Sequence, residues 1–189
     1  MTYQISLKLK PETQQRFAHI HQQLNAGESQ SLAKPLGEVL ADISCEVIDQ
    51  VFGDLARLST SGDGESEKII QHIVDTMRKY MPWSVSFFSN DRLIPMVNYL
   101  EQMMYDTEST HFLSYPVEKT LVTELLGCAE QMEKGNNSYV APALKVFTQI
   151  VDQGVTSRVR EPKKMLKFNL VVDKTLNGVI NLTTQLGYK

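Results

Sequence analysis

Residues 35–58, PLGEVLADISCEVIDQVFGDLARL, form the stretch on which the fold turns. At about 100° per residue, Leu36, Leu40, Ile43, Val47, Val51, Leu55 and Leu58 gather on one face of a helix. Pro35 suits the first helical turn, where a missing N–H costs nothing, and Glu38 there favours the helix dipole. The stretch Ser61-Gly62-Asp63-Gly64 stops the helix. Such a rod spans about 36 Å at ~1.5 Å per residue, enough to cross a small domain. Ile48 and Phe52 widen its apolar stripe, so neighbours are expected on more than one side. The opposite face carries Glu38, Asp42, Glu46 and Asp49. Like charges four apart repel by about 0.2–0.5 kcal/mol per pair. This acidic stripe reads as a solvated face, with a metal site or a docking face for a basic segment as sharper alternatives.

Working outward, the bulk properties exclude several classes. At 42% hydrophobic and 22% charged residues, the 189-residue chain can bury a core and does not resemble a disordered segment. One domain, 1–189, with residues 1–10 as a strand or arm, is the simplest organisation. A net charge of −3 argues against nucleic acid as a partner. No apolar run reaches membrane-spanning length, and residues 1–10 lack the apolar core of a signal peptide. Cys45 and Cys128, both on expected helices, fit thiols in a reducing compartment, so a cytoplasmic location is expected.

Tyr3, Ile5, Leu7 and Leu9 alternate with polar residues, a strand pattern that needs a partner. Residues 83–88, or a second copy of the chain, are the candidate partners. Six prolines (Pro11, Pro35, Pro95, Pro116, Pro142 and Pro162) fall where helices would begin, and Pro82 where one would stop. They punctuate seven expected helices: 11–25, 35–59, 65–81, 92–106, 115–134, 139–158 and 162–186. Asp91 is the expected N-cap of the fourth, because a cap at Ser89 places Pro95 deep in the helix. In the last, Asn177-Gly178 offers a hairpin alternative, but helical spacing from Met165 to Leu186 favours a helix. Residues 59–67, STSGDGESE, read as an exposed loop. The fold class is therefore mainly α, a bundle of six or seven helices with a short N-terminal strand.

Chemistry is sparse by comparison. There is no Gly-rich phosphate loop and no Gly-x-Ser-x-Gly elbow. His19 and His21 point to different sides of a helix, and Glu108-x-x-His111 stands alone in a polar stretch. No catalytic residue, cofactor or metal ligand is assigned. Residues 77–115 hold five of the eight methionines and more than half of the aromatic side chains. Methionine adapts to varied partners, and Tyr and Trp pair an apolar body with a polar tip. Trp83, Met96, Tyr99 and Met103 are the candidate ligand- or partner-binding residues. The expected function is non-enzymatic binding of a protein partner or an apolar small molecule. A homodimer is expected too, to cover the strand and the aromatic face. The alternative is a metal-dependent, phosphohydrolase-like enzyme using the carboxylates of helix 35–58. Arg158, Arg160, Lys163, Lys164 and Lys167 form a basic cluster read as a solvated helix start.

Overall fold

The computed structural model describes residues 2–53, 65–107, 110–166, 173–174, 177–178 and 181. Thr2–Leu9 forms the first strand (β1), and Pro11–Asn25 the first helix (α1). The rod begins at Ala33 as Ala33–Ile48 (α2) and loosens into a π-helical turn, Asp49–Gly53. The positions of Leu55 and Leu58, and residues 59–64 of the loop expected at 59–67, lie outside the described residues, while residues 65–67 already belong to the next helix. Glu65–Val85 (α3) and Asn90–Glu101 (α4) follow. Two strands come next, Met104–Thr107 (β2) and Thr110–Glu118 (β3). Lys119–Glu133 (α5) and Val140–Val155 (α6) lead through a second π-helical turn, Thr156–Arg160, into Glu161–Leu166 (α7). The fold is mainly helical, with one three-stranded antiparallel sheet in the order β1-β3-β2.

That sheet corrects the sequence reading at three points. The partner of β1 is β3, from Thr2 opposite Glu118 to Leu9 opposite His111, while residues 83–85 complete α3. Helices expected at 92–106 and 115–134 give up their ends to β2 and β3. Their adjoining polar stretch is the link between two strands, with His111 in β3 bonded to Asp106 of β2 at 2.7 Å. Pro116 lies inside a strand because the sheet is locally one-sided there. Ser114 N–H donates to the Met103 carbonyl, so the Pro116 nitrogen, two residues on, faces the same side. β2 has ended by then, its Met104 pairing with Leu113, so no ladder bond is lost.

The other prolines divide by context. Pro11, Pro35, Pro142 and Pro162 do sit in first turns. Pro82 and Pro95 lie inside helices. Ser89, not Asp91, is the N-cap of α4, and both Pro95 and Asp91, whose carbonyl Pro95 leaves without a helical donor, are exposed to water. At Pro82 the reason is packing. A Cβ on Gly37 would stand 2.5 Å from the Pro82 Cα, so α2 and α3 cross almost backbone to backbone. Beyond α7, residues 173–174, 177–178 and 181 are helical, so Asn177-Gly178 makes no hairpin turn. The rest of the expected 162–186 helix lies outside the described residues.

The acidic stripe of α2 is a docking face for α1. Glu46 accepts from the Lys10 N–H at 2.8 Å and from the Thr13 hydroxyl at 2.6 Å, satisfying donors at the start of α1. Asp42 pairs with Arg16 at 2.6 Å. Just beyond, the Gln50 side chain brackets Lys8 of β1, accepting from its N–H at 2.9 Å and donating to its carbonyl at 2.6 Å. A side-chain amide thus closes part of the outer edge of β1. Among the described residues, no helix is long and apolar enough to cross a membrane.

Candidate functional site

Among the described residues, buried side chains form three clusters. The first joins α1, α2, α4 and the sheet around Phe17, Leu36 and Leu93. A second joins α2 to α3 through Cys45, Ile48, Ile73 and Met77, and a third places Tyr115 and Val117 against α6. Where the three meet lies a cavity of about 180 Å³. Its wall is the apolar face of α2 (Leu40, Ile43, Val47) opposite Met77 and Met81 of α3 and Met96 of α4. Both π-helical turns reach it, the first with Val51 and Phe52, the second with Arg158 and Val159. A π-helical turn rotates side chains off the regular helical register, and such turns are frequent at functional sites.

Few polar groups touch this space, and most are committed. Ser44 donates to the Leu40 carbonyl and Ser84 to the Met81 carbonyl, each at 2.8 Å. Lys163 is tied to Asp173 and to Asn177, both at 2.6 Å. Arg158 differs. All three guanidinium nitrogens are buried and find no hydrogen-bond partner among the described residues. The guanidinium lies over the Tyr115 ring, 5.8 Å from its centroid. Burial lowers the arginine from its ordinary value to about 10, against the pull of Tyr99 and Tyr115. A face-on aromatic contact is worth about 0.5–2 kcal/mol, whereas removing an ion from water costs several. The ring does not compensate the charge.

The Tyr115 ring is itself held closely. A Cβ on Gly154 would come within 2.9 Å of it, so α6 passes the sheet at a point where no larger residue fits. Burial raises the Tyr115 hydroxyl above its usual 10 and outweighs the opposing effect of Arg158.

Of the four residues singled out from the sequence, Met96 lines the cavity. Tyr99 stands beside it, its hydroxyl donating to the Ser157 carbonyl at 3.1 Å and bracing the turn that carries Arg158. Met103 is half-buried before β2, where its carbonyl accepts from Ser114. Trp83 is 39% exposed on the outer side of α3, in edge-to-face contact with Tyr80 and with Phe87, which is 55% exposed. The basic cluster is not a uniformly solvated helix start. The guanidinium nitrogens of half-buried Arg158 are out of reach of water, Arg160 pairs with Asp152 at 2.8 Å, and Lys164 with Glu161 at 2.6 Å. Lys167 lies outside the described residues. Sequence reasoning missed Arg158 because a basic run on a helix reads as surface. Its apolar flanks, Val155 and Val159, were the available signal that the run turns inward.

The carboxylates proposed for a metal are spread apart in use: Asp42 and Glu46 hold α1, while Glu38 lies 3.9 Å from Lys34. Among the described residues, no three His, Cys, Asp or Glu side chains are placed to share an ion. Compared with known proteins, the chain matches no protein family, no curated protein and no solved structure.

Proposed function

We propose that this protein binds an apolar small molecule in the cavity between α2, α3, α4 and α6, and that it acts by binding, not by catalysis. The observation carrying this reading is the cavity itself, open space at the junction of three buried clusters with walls of aliphatic and methionine side chains. Apolar cavities stay dry and take apolar guests; an engineered cavity of about 150 Å³ accepts benzene. Methionines at positions 77, 81 and 96 let the wall follow the guest's shape. The non-enzymatic part rests on Ser44 and Ser84, whose hydroxyls are turned back on their own helices. Two buried free thiols, Cys45 and Cys128, support a reducing compartment such as the cytoplasm.

Thermal unfolding with neutral probes, octanol and propylbenzene, tests this reading. Each is expected to raise the melting temperature saturably, since a ligand of the native state stabilises it by mass action. Val47→Phe, which puts a ring into the wall, is expected to weaken both effects. If no neutral apolar compound shifts the melting temperature, the proposal fails.

A further inference from the structure

We infer that the ligand is an apolar monocarboxylic acid of about six to eight carbons, with its carboxylate paired to Arg158 and its chain among Leu40, Val47, Met77 and Met96. The inference rests on the cavity-binding reading above and adds the head group. Chain length follows from the space: a cavity of about 150 Å³ holds a six-carbon ring, and this one is about 180 Å³. Walls of aliphatic and methionine side chains suit a flexible chain.

The charge identifies the head. Arg158 offers a planar fork of donors, all buried and none used among the described residues. A carboxylate matches that fork with two parallel hydrogen bonds. The second cation in the wall, Lys163, already faces Asp173, so among the described residues one positive charge in the wall is left to meet one negative charge. A phosphate monoester brings about two negative charges, one more than the uncompensated positive charge that the described residues place in the wall. Tyr115 under the guanidinium and Tyr99 behind its turn fix where the fork points.

Titration calorimetry on the full chain, stripped of bound ligand on a hydrophobic resin, compares octanoate, octanol and octyl phosphate. The proteins are the wild type, Arg158→Met and Arg158→Lys. Octanoate is expected to bind the wild type about ten- to a hundredfold tighter than octanol, the value of a charged hydrogen-bonded pair. Arg158→Met should erase that preference while still binding octanol, which also shows that the variant is folded. Arg158→Lys should retain part of it. Equal binding of octanoate and octanol to the wild type, or a preference that survives in Arg158→Met, overturns the head-group inference and leaves the cavity reading standing. Octyl phosphate binding more than tenfold tighter than octanoate overturns the carboxylate. If octanol does not bind either, both readings fall together.

Discussion

Replacing Arg158 by methionine keeps much of the side chain's length and removes a buried charge that no carboxylate among the described residues offsets. In the ligand-free protein the variant is therefore expected to melt at a higher temperature than the wild type, measured by calorimetry, because an unpaired buried ion opposes folding. A lower melting temperature would mean that the guanidinium is held by something stronger than the Tyr115 ring. Tyr115 gives a pH test of the same neighbourhood. Burial holds its hydroxyl above the usual 10, so in the folded protein it keeps its proton longer. Below pH 10 both states carry that proton; above it the unfolded chain loses it first, and stability falls as pH rises. Arg158, lowered to about 10 by burial, acts in the opposite sense over the same range, so the test is the difference between two proteins: above pH 10 the urea midpoint of Tyr115→Phe should fall less, or rise more, than that of the wild type. Gly37 is decided by distance. With the Pro82 backbone 2.5 Å from any added Cβ, Gly37→Ala must push α2 from α3, at a cost of about 1–3 kcal/mol or more in the denaturation free energy.

Among the elements, the junction of β1 with α2 carries much of the folding logic. Four polar contacts made by Glu46 and Gln50 tie the first strand and the start of α1 to the end of the rod. Gln50→Ala should cost about 1 kcal/mol for each bond lost and should speed hydrogen exchange at the Lys8 amide well above that of its neighbours. Unchanged exchange at Lys8 would show that another group protects the edge. The π-helical form of residues 49–53 serves the same junction, since it directs Gln50 to the strand while Phe52 turns to Phe147, 6.3 Å away. The second π-helical turn, residues 156–160, aims Arg158 inward and leaves Arg160 to pair with Asp152.

For the whole molecule, the pairing of β1 with β3 removes one argument for a dimer, because the strand finds its partner within the chain. What remains is the ring ladder of half-buried Tyr80 with exposed Trp83 and Phe87. Light scattering at micromolar concentration separates the two states: the chain mass of 21.4 kDa for a monomer, twice that for a dimer. The cavity makes a further statement at this scale. Neutral apolar ligands should stabilise the whole protein cooperatively, since the space adjoins all three buried clusters.

The sequence by itself determined the helical character, the strand at residues 2–9 and the end points of α1. Those rest on local rules: side-chain period, turn residues and the compatibility of Pro11 with a first helical turn. It also marked the apolar face of residues 36–51 and Met96 as places where something packs. Proline misled where tertiary context admits it, at Pro82 where the helix packs against the bare backbone of Gly37 and at Pro116 in a strand with one neighbour there. The alternation of Leu113, Tyr115 and Val117 was present in the sequence, and Pro116 concealed it. Tertiary structure alone decided the rest. Pairing β1 with a strand more than a hundred residues away, turning Arg158 inward and leaving space between three clusters all depend on contacts between distant segments. Local patterns carry no record of those contacts, because packing is settled by shape once the elements meet.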